Sequence, residues 1–310
     1  MTKRKPLLIG LAVFLFLSIS YFVCDGESKV LNEAERKNAP GKFIKLSGGM
    51  THYKLNGQPG NPWVVLVHGY STPLYLWDDI ADKLASLGFQ VLRFDLYGRG
   101  YSDRLDTEYN IELFDTQLFD LLNHLKIQIP VNVIGISMGG AIVTNFAVNH
   151  QERVGKVGLI APFGMPQSVG FLGSVAKSPL LGDYLMTTLG DTILMAGQRK
   201  SVYEPEKHQN FFRKYEVQLQ YKGYKSALLS TLRNVISQDF TPVYAELGKQ
   251  NRPTLLIWGT KDVVVPFENH KRLKPLLPTV RFYPLENVGH LPPVENPKRT
   301  LEIIVHFLRN

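Results

Sequence analysis

From Lys42 onward the chain alternates short apolar runs with segments of helical spacing, and it breaks that alternation once. "PWVVLV" (residues 62–67) is apolar throughout, as a strand buried on both faces must be. "YLWDDIADKLASLG" follows with apolar residues about 3.6 apart and closes on Gly88, a helix stop. The pair then recurs. "QVLRFDLYG" precedes an amphipathic helix over 112–125, "VNVIGIS" precedes "MGGAIVTNFAVNH", and "VGKVGLIAP" (154–162) is a further strand. Such alternation implies an α/β fold: a mostly parallel sheet with helices on both faces. Ahead of it, "KFIKLSGGMTHYKLNG" reads as a hairpin around Gly48 and Gly49.

The break runs from residue 163 to about 247, where helices and loops replace buried strands. Alternation resumes with "PTLLIWGT", "FENHKRLKPLL", "VRFYPLEN" and "NPKRTLEIIVHFL". The expected organisation is a core in two parts, 42–162 and 248–310, with a helical cap, 163–247, inserted between them. Residues 25–41 are expected to be a linker. The cap is rich in apolar side chains, among them Met165, Phe171, Leu172, Tyr184, Met186 and Phe212. Most are expected to pack on each other and on the sheet. Those that roof a pocket, with Met165 a candidate, suit an acyl chain or aromatic ring better than a charged substrate. Arg233 in "LSTLRNV" either clamps a substrate carboxylate or pairs within the cap.

Residues 1–24 stand apart. Lys3, Arg4 and Lys5 precede an uncharged run from Pro6 to Val23. The preferred reading is an uncleaved signal anchor, which attaches the chain to a membrane and leaves the rest outside the cytoplasm. The competing reading is a cleaved signal peptide with its apolar region at Leu7–Leu17, which would release a secreted protein.

Composition excludes several classes. The formal charge is +8, but the cations are scattered, so no nucleic-acid partner is expected. Cys24 is the only cysteine, which rules out an intrachain disulfide and a cysteine-based metal site. No HExxH motif is present, "GRGYSD" lacks the Lys-Ser/Thr of a phosphate loop, and the dinucleotide fingerprint fails. No metal and no cofactor are expected.

In sheets of this kind chemistry sits at the carboxyl ends of the strands. There the sequence puts His68-Gly69-Tyr70, then Ser137, then Asp262, then His290. A serine hydroxyl needs a base to take its proton, and the base needs an acid to fix its tautomer. Ser137 lies in Gly-x-Ser-x-Gly, where Gly135 and Gly139 permit a sharp strand-to-helix elbow. Met138 would offer a backbone N–H at the start of the following helix. His68 reads as a structural hydrogen-bonding residue, and Asp95 and Asp103 as turn formers around Gly98 and Gly100.

These residues carry a resemblance. "VVLVHGYS", "RFDLYGRGYSD", "GISMGG", "WGTKDVVVP" and "VGHLPPVENP" together resemble the α/β-hydrolases, from Pro62 to the C-terminus. Monoacylglycerol-lipase-like esterases and serine carbon–carbon-bond hydrolases are the most similar groups. The resemblance implies Ser137 as nucleophile, Asp262 as acid and His290 as base, with the N–H groups of Tyr70 and Met138 as the oxyanion hole. It implies a serine esterase acting on a small-molecule or lipid ester. Carbon–carbon hydrolysis with the same triad, or a non-catalytic binding protein on this fold, are the alternatives.

Overall fold

The computed structural model describes residues 4–166 and 170–310. Lys3 and the side chains of Phe171 and Leu172 lie outside the described residues. Eight strands form one sheet: β1 (Lys42–Lys45), β2 (Met50–Asn56), β3 (Trp63–Val67), β4 (Gln90–Phe94), β5 (Val131–Ile136), β6 (Val154–Ile160), β7 (Thr254–Gly259) and β8 (Val280–Leu285). Their order is β1-β2-β4-β3-β5-β6-β7-β8. β1 pairs antiparallel with β2, and β2 antiparallel with β4, while every other pair is parallel. One register row runs Leu92, Val65, Val133, Val157, Thr254, Val280.

The continuous apolar runs follow from this topology. Side chains alternate across a strand, so Val65 and Val67 enter one core while Val64 and Leu66 enter the other. All four are fully buried. Helices α4 (Ile111–His124) and α5 (Met138–Asn149) cover the first face with Phe114, Leu118, Leu121, Ile142 and Phe146. Helix α3 (Asp78–Ser86) and the final helix Pro297–Arg309 cover the second with Ile80, Leu84, Ile304 and Phe307. Asp95 does more than shape a turn. Its buried carboxylate bonds the His52 ring (2.6 Å) and accepts the N–H groups of Leu74 (2.8 Å) and Tyr101 (2.9 Å).

Between β6 and β7 the described residues form no strand beyond an isolated bridge of Tyr221 with Lys29, and the helices there are α6 (Gly170–Lys177), α7 (Leu181–Lys200), α8 (Gln209–Gln218), α9 (Tyr224–Thr231) and α10 (Thr241–Lys249). Helices α6 to α9 lie over the strand ends where the serine stands, whereas α10, although it falls inside the expected cap, packs beside α5 on a face of the sheet through Tyr244 and Leu247. A π-helical stretch, Leu232–Ile236, continues α9.

The chain before the sheet is held in place. Helix α1 spans Arg4–Val23 and α2 spans Glu33–Lys37. Ser20 shares a 2.6 Å hydroxyl contact with Tyr184 of α7, and the Tyr21 ring stacks on the same residue. Among the described residues no helix is long and apolar enough to cross a membrane. The uncharged part of α1, Pro6 to Val23, rises about 27 Å, short of the ~30 Å of a hydrocarbon core. The segment expected to be a linker is a strap. Glu27 accepts the N–H groups of Gly223 (2.8 Å) and Lys225 (2.6 Å) at the start of α9, and Arg36 pairs with Asp103. The Lys225 ammonium lies 3.2 Å from Asp25 and 3.3 Å from Asp191. Charge placement in the sequence could not forecast a pairing so distant along the chain.

Candidate active site

Ser137 closes β5 and precedes α5, with φ +54° and ψ −123°. A non-glycine residue in that region stores about 1–3 kcal/mol of strain, which the surroundings must hold. They do so by close approach. A Cβ on Gly135 would collide with the Gly139 carbonyl, and one on Gly139 with the carbonyls of Val67 and His68. β5, α5 and the end of β3 can meet this tightly because both positions lack a side chain. The Ser137 N–H donates to the Ile160 carbonyl (2.9 Å), and its carbonyl accepts from Gly140 and Phe163.

Asp262 follows β7 and His290 follows β8. Asp262 Oδ2 lies 2.8 Å from His290 Nδ1. Asp262 Oδ1 accepts the N–H groups of Val264 and Val265, each at 2.9 Å. Both side chains are almost wholly buried. The cap steadies the histidine loop: the His290 N–H donates to the Ser201 carbonyl (2.8 Å). Glu295 accepts the N–H groups of Gly289 (2.8 Å), Leu291 (3.0 Å) and Tyr203 (2.7 Å). With Nδ1 engaged by Asp262, His290 keeps Nε2 for the cavity it shares with Ser137. No hydrogen bond joins Ser137 to His290 here. Such bonds are commonly long before substrate arrives.

The loop after β3 supplies the opposite wall. His68 Nδ1 donates to the Gly69 carbonyl (2.9 Å) while its Nε2 accepts the Leu96 N–H (2.9 Å), a pattern only the neutral ring can make. Full burial lowers its pKa to about 4, against the pull of Asp95. A Cβ on Gly69 would stand 3.2 Å from the Ser137 Cβ, so this loop runs directly over the serine. Among the described residues, neither the Tyr70 nor the Met138 backbone N–H donates to a protein acceptor. Both remain available to a ligand.

Two cavities meet at Ser137. One, of about 350 Å³, is lined by His290, Leu291, Ile193, Ser71, Gln198 and Tyr215. The other, of about 460 Å³, is lined by Phe163, Met165, Leu232, Ile236 and Val265. Tyr70, Ser137 and Val264 belong to both. Met165 therefore lies at the site. Arg233 lines neither cavity. It pairs with Asp183 (2.9 Å) and donates to the Ser178 carbonyl (3.1 Å), the arrangement within the cap. That ion pair holds the Asp183 carboxyl below its usual range. Among the described residues, no cluster of three or more His, Cys, Asp or Glu side chains could hold a metal ion.

Sequence reasoning missed Arg99. It is fully buried and splits its guanidinium between the Tyr70 carbonyl (2.8 Å), the Tyr97 carbonyl (3.1 Å) and the Thr231 hydroxyl (2.9 Å). The available signal was a cation wedged between Gly98 and Gly100 in an otherwise tight turn. Glu295 lay inside a quoted motif without a role. Gln198 and Tyr215 carried no signal beyond ordinary helical spacing.

A mostly parallel sheet carrying a serine elbow, with an acid and a histidine at later strand ends, defines an α/β-hydrolase. Comparison agrees: a family model described as alpha/beta hydrolase fold matches residues 62–297, and the chain belongs to that family. It is 26% identical over 283 residues to Lipase 3 of Moraxella sp. (strain TA144), covering 86% of this chain and 84% of that protein. It is 25% identical over 296 residues to the 2-hydroxy-6-oxononadienedioate/2-hydroxy-6-oxononatrienedioate hydrolase of Cupriavidus pinatubonensis, covering 87% and 95%. The crystal structure of the enol-lactonase from Burkholderia xenovorans LB400 superposes with a TM-score of 0.76 at 23% identity, over 87% of this chain and 100% of that one. At that identity the likeness is one of fold.

Proposed function

We propose that the protein is a serine hydrolase of carboxylic esters. The observation that carries this reading is the Asp262–His290 pair, opening onto the cavity where Ser137 stands at its strained elbow. In this mechanism His290 Nε2 takes the Ser137 proton as Oγ attacks the ester carbonyl. The oxyanion is received by the N–H groups of Tyr70 and Met138. His290 then gives the proton to the leaving alkoxide, and an acyl-serine remains. Water, deprotonated by His290, attacks the acyl carbon and releases the acid, returning the proton to Ser137. Asp262 holds the imidazole in one tautomer throughout. Both cavities are mainly apolar, although Lys200 lines one and Lys177 and Asp239 line the other, and that supports an acyl-bearing substrate.

The test is labelling by a fluorophosphonate probe alongside turnover of short p-nitrophenyl esters. Wild-type protein should show both and Ser137→Ala neither, at unchanged circular dichroism. Ester turnover persisting in the variant would remove Ser137 from the mechanism. The similarity to the Cupriavidus hydrolase favours a second reading, carbon–carbon hydrolysis by the same three residues. A vinylogous diketone turned over faster than any ester would select it.

The membrane reading of α1 belongs with this proposal. Lys3, Arg4 and Lys5 precede the uncharged run of α1, whose Ile9, Phe16 and Phe22 are 65%, 69% and 79% exposed, which supports a segment kept in or at a bilayer with the hydrolase outside the cytoplasm. Recovery of the protein in the membrane fraction after a carbonate wash is expected, and full release would sink it.

A further inference from the structure

We propose that the cavity beside His290 receives the alcohol half of the ester and that Gln198 and Tyr215 form a hydroxyl-binding subsite at its floor, selecting alcohols with a second hydroxyl. This rests on the ester reading for its direction. The proton donated to the leaving alkoxide comes from His290, so the alcohol oxygen must lie within hydrogen-bond reach of that ring. His290 lines only the smaller cavity. The acyl group, left on Ser137, then extends into the other cavity, whose Phe163, Met165, Leu232 and Ile236 are apolar.

The floor of the alcohol cavity is unlike its walls. Gln198 Nε2 donates to the Ser71 hydroxyl (2.8 Å), and the Thr72 hydroxyl donates to Gln198 Oε1 (3.3 Å). The Tyr224 hydroxyl donates to the Ser71 carbonyl (2.7 Å). These bonds fix the amide and the serine in one orientation. Tyr215 is fully buried, and its hydroxyl lies against Ser71, Gln198 and Tyr224 without a hydrogen bond of acceptable geometry. Burial pushes its pKa up, so it stays protonated and a donor at neutral pH. A buried phenolic O–H without a partner is costly. An alkyl alcohol would leave it so. A second hydroxyl on the alcohol supplies an acceptor for Tyr215 and a donor for the oxygens around it.

Glycerol monobutyrate and propyl butyrate test this, because they share the acyl group and differ by two hydroxyls. Binding is measured to the Ser137→Ala protein, which holds ester without turnover. The glycerol ester should bind about tenfold more tightly, and adding Tyr215→Phe or Gln198→Leu should reduce that ratio to about twofold. General damage to the cavity would weaken both ligands and leave the ratio standing. Equal affinities in Ser137→Ala, or a ratio that neither added substitution moves, would overturn the subsite. If wild-type protein cleaves neither ester while the ratio and its loss hold, the ester reading fails and the hydroxyl subsite stands.

Discussion

Asp262 divides its carboxylate, giving Oδ2 to His290 Nδ1 at 2.8 Å and Oδ1 to the N–H groups of Val264 and Val265. The second pair of bonds fixes the carboxylate so that the first can orient the imidazole. Asp262→Asn separates these jobs. The amide oxygen can still accept from Val264 and Val265, so the loop should survive. The amide NH₂ then faces Nδ1 and forces the proton onto Nε2, the atom that acts as base in the proposed mechanism. Ester kcat should fall by about 10⁴-fold with melting temperature changed little. A loss under tenfold would show that His290 does not depend on this tautomer.

The elbow can be tested by adding single methyl groups. At Gly135 the new Cβ would meet the Gly139 carbonyl, and neither β5 nor α5 can move without disturbing both cores. Gly135→Ala should cost about 3 kcal/mol or more in urea unfolding. At Gly197, inside helix α7, a Cβ meets nothing within 4 Å. There Gly197→Ala should stabilise by about 0.5–1 kcal/mol, the ordinary helix gain. Equal effects at the two positions would mean that the close approach at the elbow is not what requires glycine.

His68 makes stability depend on pH with a definite sign. Burial sets its folded-state pKa at about 4, below the ordinary 6.5. The folded protein therefore binds fewer protons than the unfolded chain between those values, and stability rises with pH across them. The contribution is fully present above pH 6.5 and is lost as pH falls towards 4, on the order of 3 kcal/mol in all. Other groups titrate too, so the informative quantity is a difference. His68→Gln keeps a donor and an acceptor but cannot charge. Its melting temperature should fall less than the wild-type value between pH 7 and pH 4. Parallel curves would exclude His68 as the source.

The elements most visible in the sequence owe their visibility to the sheet. A strand buried on both faces has to be apolar along its length; β3 is so throughout, and β5 and β7 depart from it only at Asn132 and Thr254, near their starts. Once the sheet is parallel, Ser137, Asp262 and His290 fall on one edge because each follows a strand. What could not be read is held by contacts between distant segments. Glu27 caps α9, Gln198 and Tyr215 meet Ser71 from two helices, and Asp183 takes up Arg233. None leaves a local pattern, since a helix spaced to pack looks the same whichever partner it meets. Arg233 shows the consequence: a cap cation has the same appearance whether it faces a ligand or a neighbouring helix.

Arg99 offers the most specific test of how the oxyanion site is held. Its Nε braces the Tyr70 carbonyl while its two outer nitrogens reach Tyr97 and Thr231, joining the loop after β3 to the end of α9. Tyr70, Tyr109 and Phe114 surround the guanidinium at 5.5 to 5.8 Å. Lysine would keep the charge but not the planar fork, so it cannot hold three acceptors at once. Arg99→Lys should loosen Tyr70, whose carbonyl Arg99 holds, and with it the N–H of the preceding peptide. In the proposed mechanism that N–H acts on the developing oxyanion more than on the ground-state ester, so kcat should fall about tenfold to a hundredfold while KM moves little. A boronic acid, which mimics the tetrahedral adduct on Ser137, should lose affinity in the same proportion. Should KM rise with kcat and boronate affinity unchanged, Arg99 would be supporting the cavity wall and not the oxyanion hole.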